Sequence, residues 1–216
     1  MNSESTLRVT EIFFSLQGET SRVGLPTVFI RLTGCPLRCR WCDTAYAFTG
    51  GTTRTLSDIL GEVLQHPTRR VTVTGGEPLA QADCHLLLTR LADAGCDVSL
   101  ETSGALDISM VDRRVSRIVD LKPPGSGESS RNRLENLREL TPRDEVKFVI
   151  ADREDYEWSR NLIREYEIAA RCPVLLSPVH DKVEPAQLAG WVLADGLEVR
   201  LQVQLHKLLW GGSPGH

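Results

Sequence analysis

The chain has 216 residues, which is enough for one domain with a substantial buried core and no need for disulfide staples. Apolar residues make up 41% and charged residues 25%, a globular balance that excludes a largely disordered chain, and the net charge of −4 gives no sign of a general nucleic-acid-binding surface. No apolar run approaches the roughly 18 residues of a membrane span, and the first residues lack the apolar core of a signal peptide. The sequence therefore predicts a soluble, cytoplasmic protein without nucleic-acid or membrane partners.

Strands and helices are predicted to alternate along the chain. Predicted strands, rich in β-branched and apolar residues, span 10–16, 27–32, 70–74, 97–101, 117–121, 145–150, 173–176 and 198–204. A first helix carries an apolar face at helical spacing, and further helices are predicted at 79–94, 131–140, 153–170 and 185–194. Residues 123–130 are predicted to form a mobile loop and residues 211–216 a flexible tail. This alternation favours a single α/β domain over residues 1–216 with a parallel sheet, either open or closed into a partial barrel.

Polar residues follow several of the predicted strands. Three cysteines come after the strand 27–32, and Gly75-Gly76-Glu77-Pro78 comes after the strand 70–74. Glu101 to Ser103, Asp120 with Lys122, and Ser177 to His180 follow later strands. Because the carboxyl ends of parallel strands meet at one edge of a sheet or barrel, the sequence predicts one shared site there.

The cysteine spacing is the most informative motif. Cys35, Cys39 and Cys42 lie within eight residues, and a reducing compartment makes a disulfide framework improbable. A closed zinc site needs a fourth ligand, and neither a fourth cysteine nor a histidine lies close along the chain. An iron–sulfur cluster held by three cysteines keeps one iron open for another ligand. Buried core cysteines and a three-cysteine zinc site with water remain the alternatives at this point.

Two motifs together resemble the radical S-adenosylmethionine (SAM) superfamily. The spacing Cys-x3-Cys-x2-Cys, with Trp41 before the third cysteine, is similar to its cluster loop, and Gly75-Gly76-Glu77-Pro78 is similar to its methionine-binding motif. Almost the whole chain further resembles the 7-carboxy-7-deazaguanine synthase family of the queuosine pathway. The matching segments are Ser15 to Glu19, Phe29 to Cys35, Trp41 to Thr44, Val73 to Pro78, Glu101 to Gly104, Asp120 to Lys122, Val146 to Val149, Ser177 to Val179 and Gln204 to Lys207.

The resemblance implies a fold and a reaction. The fold is a partial (β/α)6-type radical SAM barrel, and the cofactors are one [4Fe–4S] cluster, SAM and Mg²⁺. The enzyme would be a carbon–nitrogen lyase that contracts the ring of 6-carboxy-5,6,7,8-tetrahydropterin to 7-carboxy-7-deazaguanine and releases ammonia. A deoxyadenosyl radical made from SAM takes a hydrogen from the pterin and later returns it. The resemblance also implies a homodimer and a flavodoxin or ferredoxin as electron donor.

The resemblance also implies which residues bind each group. Cys35, Cys39 and Cys42 would hold the cluster, and the Thr44 hydroxyl would bind Mg²⁺. Residues implied at the pterin are Leu16, Gln17, Gly18, Glu19, Arg31 and Thr74. Residues implied at SAM are Trp41, Asp43, Gly76, Glu77, Ser103, Asp120, Lys122, Ser177, Pro178 and His180. A planar guanidinium such as that of Arg31 suits the substrate carboxylate, because it offers two parallel donors.

Less specific alternatives stand beside these assignments. Arg31 has the alternative of a simple ion pair with a neighbouring acid, and Lys147 is equally compatible with a surface charge. His180 and His206 are more often structural, and the radical chemistry needs no histidine base. For the whole protein, the rivals are a glycyl-radical activating enzyme, which shares the two motifs, and a non-catalytic zinc or iron–sulfur module.

Overall fold

A computed structural model describes residues 4–211 of the chain, and that range contains nine β-strands and five α-helices. Nine strands are β1 (Thr6–Leu16), β2 (Pro26–Leu32), β3 (Thr52–Thr55), β4 (Arg70–Gly75), β5 (Asp97–Thr102), β6 (Ser116–Asp120), β7 (Glu145–Ile150), β8 (Val174–Pro178) and β9 (Arg200–Leu201). The α-helices are α1 (Leu56–Val63), α2 (Cys84–Asp93), α3 (Arg153–Glu165), α4 (Pro185–Asp195) and α5 (Leu205–Trp210).

All nine strands belong to one open sheet in the order β3-β1-β2-β4-β5-β6-β7-β8-β9. From β2 onwards across the sheet, the seven strands β2 and β4–β9 run parallel, whereas β1 pairs antiparallel with both β2 and β3. The parallel strands therefore end at one common edge. This open, mostly parallel sheet is the partial α/β barrel that the sequence predicted.

Side-chain alternation gives the sheet two chemically different faces. In β2, Val28, Ile30 and Leu32 are fully buried against the helices, whereas Phe29 and Arg31 point to the opposite side and border a cavity. The apolar face is covered by helix residues that include Ile59, Leu87, Leu91, Ile163 and Leu188. One face thus supplies the core, and the other is left for polar chemistry.

Most helix boundaries follow the predicted signals. Asp152 caps α3 by accepting a 2.9 Å hydrogen bond from the Asp155 amide. Gly95 and Gly196 adopt the left-handed conformation, with φ of 77° and 56°, just after α2 and α4. Pro185 opens α4. The predicted helix 79–94 begins only at Cys84, because Pro78–Ala80 forms a separate 3-10 turn capped by the Glu77 carboxylate.

The structure corrects three other predictions. Residues 131–140 form short 3-10 turns, Ser129–Arg131 and Leu134–Arg138, in place of an α-helix. Residues 123–130 carry a 3-10 turn, Pro124–Ser126, that is tied to the Asp155 carboxylate through the Gly125 amide. The last predicted strand shrinks to Arg200–Leu201, and β3 and α5 were not predicted. Of the predicted flexible tail, residues 212–216 lie outside the described residues.

The reason for the first correction lies in two asparagines. Asn132 exchanges hydrogen bonds of 2.8 and 2.9 Å with the backbone of Lys122, and Asn136 bonds to the backbone of Gly104, Leu106 and Ile108. These long-range side-chain bonds fix the segment to the strand ends, and they compete with a regular helix.

Within the described range, no helix has the length and apolar character that a membrane crossing requires.

Candidate active site

A cavity of about 320 Å³ opens at the carboxyl ends of the parallel strands. It is bordered by the β1–β2 turn, the cysteine loop, the ends of β4 to β7 and the C-terminal helix α5. Most predicted site residues border it, namely Leu16, Gln17, Gly18, Glu19, Arg31, Cys35, Cys39, Trp41, Cys42, Asp43, Thr44, Thr74, Gly76, Ser103, Asp120, Lys122 and His180. The strand topology thus brings together residues that lie far apart in the chain.

The cysteine loop is folded so that all three thiols border this one space. Gly34 starts the loop with a left-handed turn of φ 97°, and its amide donates a 2.8 Å bond to the Ala47 carbonyl. The Leu37 amide donates to the Cys35 sulfur at 3.4 Å, and the Cys42 amide donates to the Cys39 carbonyl at 3.2 Å. These bonds hold the cysteine loop in this conformation.

The thiols suit a metal centre of more than one iron. Burial raises the pKa of both Cys35 and Cys39, and the nearby Cys42 raises both further. Three adjacent thiolates are therefore unfavourable unless a cationic centre compensates their charge. Three thiols on one loop fit a [4Fe–4S] cluster, because each cysteine then binds a different iron.

The glycine-rich turn after β4 packs directly on the cysteine loop. In the parallel pairing of β2 and β4, Leu32 lies opposite Gly75. The Glu77 amide donates a 2.8 Å bond to the Gly34 carbonyl, and the Gly76 amide donates a 3.1 Å bond to Leu32. A Cβ on Gly76 would lie only 2.8 Å from the Cys35 Cβ. Close backbone approach between the two motifs therefore requires glycine here.

The Glu77 carboxylate faces the protein interior and does not border the cavity. It is fully buried and accepts hydrogen bonds from the Leu79 amide at 3.0 Å, from the Thr102 hydroxyl at 2.9 Å and from the amide and hydroxyl of Ser103. It holds the turn after β4 to the end of β5 and so positions Ser103 at the cavity.

Two other residues predicted at SAM also lie outside the cavity border. Ser177 and Pro178 end β8, and the Ser177 hydroxyl is buried without a hydrogen-bond partner among the described residues. His180 borders the cavity, but its side chain is 61% exposed and pairs with Asp181 at 2.8 Å. Their assignment to SAM stays a prediction.

At the other end of the cavity, Gln17 and Glu19 form a buried polar floor. The Gln17 amide nitrogen donates to Thr72 at 3.3 Å and to Glu101 at 3.2 Å, and Thr74 donates to the second Glu101 oxygen at 3.1 Å. Burial raises the pKa of Glu101, and Glu19 raises it further against the opposing effect of Lys147. The arrangement supplies adjacent donors and acceptors, which a fused heterocycle with a polar edge requires.

Arg31 sits between an acid and the cavity. Its Nε donates to the Glu11 carboxylate at 2.7 Å, and the Tyr46 hydroxyl donates to the same oxygen at 2.8 Å. Desolvation and the Glu11 carboxylate raise the pKa of Tyr46 to about 12, so this phenol stays a donor. Arg31 therefore does form the local ion pair, through its Nε, and it also borders the cavity. Thr44, nearby on the cysteine loop, has its hydroxyl 3.8 Å from the Cys42 sulfur.

The C-terminal segment contributes site residues that the sequence reasoning missed. The Gln204 amide donates to Glu19 at 2.6 Å, the Leu205 amide donates to the Gly18 carbonyl at 3.0 Å, and Lys207 lies 3.4 Å from Asp43. Other cavity residues, to which the sequence assigned no individual binding role, are Phe29, Leu37, Phe48, Gly75, Glu101, Thr102, Ile118, Lys147, Val149, Val179 and His206. For Phe29, Glu101 and Lys147, the alternation of side chains along a strand could have indicated that they lie on the cavity face of the sheet.

Comparisons with known proteins agree with this geometry. The family model of the radical SAM superfamily matches residues 29–164. The chain is 44% identical over 219 residues to 7-carboxy-7-deazaguanine synthase of Koribacter versatilis (strain Ellin345), covering 94% of this chain and 97% of that protein. It is also 44% identical over 213 residues to the enzyme of the same name from Chlorobaculum tepidum, covering 97% of each.

The fold also matches solved structures. QueE from Escherichia coli superposes with a TM-score of 0.76 at 24% identity, covering 93% of this chain and 95% of that one. Streptococcus suis SuiB bound to S-adenosylmethionine superposes with a TM-score of 0.57 at 14% identity, covering 79% of this chain and 44% of that one. At these identities the likeness establishes the shared fold.

Proposed function

We propose that this chain, which belongs to the 7-carboxy-7-deazaguanine synthase family within the radical SAM superfamily, makes 7-carboxy-7-deazaguanine from 6-carboxy-5,6,7,8-tetrahydropterin. The enzyme is a carbon–nitrogen lyase, and its cofactors are a [4Fe–4S] cluster and SAM. One observation carries the proposal: a single cavity has the three cysteines and the Gly75-Gly76 turn at one end and Gln17, Glu19 and Arg31 at the other.

At the cluster end, Cys35, Cys39 and Cys42 would hold three irons and leave the fourth for SAM. When bound, the reduced cluster supplies the electron that converts SAM into methionine and a 5′-deoxyadenosyl radical. The chain's own contribution is to orient SAM through the backbone of Gly76, the hydroxyl of Ser103 and other groups at the strand ends. The packing of the Gly76 turn on the cysteine loop supports this role, because it fixes both motifs relative to each other.

At the substrate end, the residues match the pterin group by group. The Glu19 and Glu101 carboxylates accept hydrogen bonds from ring N–H and amino groups, and Gln17 and Thr74 fix Glu101. Arg31, anchored at Nε by Glu11, would present its terminal nitrogens to the substrate carboxylate. We further propose that the Thr44 hydroxyl, at the cavity border beside Cys42, binds a Mg²⁺ that also contacts the substrate.

The proposed partners rest on exposed surface near the site. Arg38 and Arg40 are exposed on either side of Cys39, and their charge suits an acidic electron carrier such as a flavodoxin or ferredoxin. Leu208 and Leu209 of α5 are 71% and 51% exposed, which supports a homodimer that would cover them. The one continuous sheet supports a single domain.

The test is an anaerobic assay of protein reconstituted with iron and sulfide. SAM, Mg²⁺, dithionite and 6-carboxytetrahydropterin are added, and the products are identified by mass spectrometry. We expect 7-carboxy-7-deazaguanine and ammonia with SAM largely unconsumed. Cleavage of SAM with the pterin untouched would refute the substrate assignment and point to a protein substrate, as for a glycyl-radical activating enzyme. If metal analysis of the purified protein, before reconstitution, found one zinc per chain and no sulfide, the radical mechanism would be refuted.

A further inference from the structure

A buried lysine lies at the centre of the cavity floor and has no role in the mechanism so far. Lys147 lies in the middle of β7, with a side chain only 12% exposed. Its Nζ is 2.6 Å from Glu19 Oε2 and 3.3 Å from Asp120 Oδ2. The ammonium therefore joins a residue proposed at the pterin to one proposed at SAM.

Register explains why these groups meet. Lys147 is the direct pairing partner of Asp120 across the parallel strands β7 and β6. Glu19 arrives from the β1–β2 turn, 128 residues earlier in the chain. Asp120 is also 3.1 Å from Lys122. Four charges therefore alternate in sign along the cavity floor, in the order Glu19, Lys147, Asp120, Lys122. Like charges never stand side by side in this row.

We propose that Lys147 is a positioning residue that keeps the Glu19 carboxylate ionised and aimed at the pterin, and that ties it to the SAM end through Asp120. This inference rests on the proposed function, because it assumes that the ionised Glu19 accepts hydrogen bonds from substrate N–H groups. Lys147 acts through Glu19 and needs no contact with the reacting atoms.

The surrounding charges are consistent with this role. Burial alone would raise the pKa of Glu19, but the Lys147 ammonium and the Gln204 amide lower it to about 2. Burial opposes the charge of Lys147, but Glu19, Asp120 and Glu101 together raise its pKa well above the usual value. Leu175 of β8, the other pairing partner of Lys147, is apolar. Three other charged or titratable groups lie near the Lys147–Glu19 pair: Lys122 faces Asp120, Arg31 faces Glu101, and His206 of α5 faces Glu19. Burial is the main cause that lowers the pKa of His206.

Removing the ammonium should therefore change the protonation of Glu19. In Lys147→Met, burial acts on Glu19 without its main compensating charge, so its pKa should rise toward neutrality. A protonated Glu19 is a poorer acceptor, and the ratio of the variant's KM for the pterin to that of the wild type should be about tenfold at pH 6.5. That ratio should fall toward about twofold by pH 8.5 as Glu19 ionises, with kcat changed less than about threefold.

Two further variants separate positioning from mere structure. Lys147→Arg keeps the positive charge and should restore a ratio below about threefold at every pH. Lys182→Met removes an exposed lysine that does not border the cavity and serves as the matched control. A KM ratio for Lys147→Met that does not change with pH, or an Arg variant as impaired as the Met variant, would overturn the proposal.

A second measurement does not depend on turnover. In oxidised holoenzyme labelled with carbon-13 at glutamate carboxyls, the Glu19 signal, assigned from Glu19→Gln, should stay ionised down to about pH 4 in the wild type. The same signal should titrate above about pH 5.5 in Lys147→Met. An unchanged titration in that variant would refute the role of Lys147, whereas absence of product from the wild type would refute the proposed function and leave the NMR result to stand.

If Lys147→Met does not fold, Glu19→Gln gives the decisive comparison. The neutral amide keeps the bond to Gln204 but removes the charge that Lys147 holds. The proposal predicts a KM raised about tenfold at every pH from 6.5 to 8.5, because no titration can restore the carboxylate. A wild-type KM would overturn it.

Discussion

Gly76→Ala should separate the two motifs that build the cluster end of the cavity. The new Cβ would lie 2.6 Å from the Gly34 carbonyl carbon, closer still to its oxygen, and 2.8 Å from the Cys35 Cβ. Two of these neighbours are backbone atoms of Gly34 and the third is a Cβ, so none can rotate away, and the cysteine loop and the turn after β4 must move apart by roughly 1 Å. That movement strains the bonds from Glu77 to Gly34 and from Gly76 to Leu32.

The cost can be estimated from these contacts. Overpacking against fixed backbone costs about 1–3 kcal/mol, and weakening two backbone hydrogen bonds adds about 1 kcal/mol. We therefore expect Gly76→Ala to lower the free energy of unfolding by about 2–4 kcal/mol, which a domain of ordinary stability survives. Displacement of Cys35 should also lower the iron retained after reconstitution, because three ligands must reach one cluster.

The matched control is Gly61→Ala. Gly61 lies on the exposed side of α1, its backbone is helical, and a Cβ there meets nothing within 4 Å. The same chemical change should stabilise the protein by about 0.5–1 kcal/mol, because alanine favours the helix. Urea unfolding and iron content, measured on both variants, check the reasoning. A Gly76→Ala protein with the stability and iron content of Gly61→Ala would refute the requirement for close approach.

Three other changes give equally direct tests. Arg31→Lys loses the planar fork while keeping the charge, so KM for the pterin should rise about 10–100-fold, and an unchanged KM would contradict the assignment. Cys39→Ala should abolish the cluster absorbance and SAM cleavage while the free energy of unfolding in urea changes by less than about 1 kcal/mol. Burial opposes ionisation of Asp144, but hydrogen bonds from Arg117 hold its pKa below the usual value, so its contribution to stability is present above about pH 4 and lost as the pH falls further. Asp144→Asn should accordingly lose about 3 kcal/mol at pH 7 and lose the corresponding acid dependence, as urea unfolding at several pH values would show.

The cluster end of the site was predictable because its information is local. Cys35, Cys39 and Cys42 lie on one loop, and Gly75 and Gly76 follow the next parallel strand. Once adjacent parallel strands are inferred, their carboxyl ends must lie side by side. No further tertiary contact is needed to bring these residues together.

The substrate end was less predictable because its charges are compensated over long distances. Alternation with Val146 and Phe148 places Lys147 on the face opposite the core. Nothing in the local sequence indicates that its side chain forms ion pairs with Glu19 and Asp120 there. The same holds for Gln204, which directly precedes α5, a helix too short to show a clear periodic signal. Sequence patterns indicate which face of the sheet a side chain takes, whereas ion pairing depends on which strands the sheet topology makes neighbours.

The proposed ligands give a reason for the alternation of charge along the cavity floor. SAM carries a sulfonium cation and an amino acid end, and the pterin carries a carboxylate at one end and N–H donors at the other. Under the proposed function, Arg31 would face the carboxylate and Glu19 and Glu101 would face the donors, so two buried acids need a cation that leaves the binding surface free. Lys147 supplies such a cation through its ion pair with Glu19, and Asp120 in turn pairs with both Lys147 and Lys122. Buried charges are tolerated only when they are paired. In this row each acid is paired with a lysine, so its charge is compensated without a ligand.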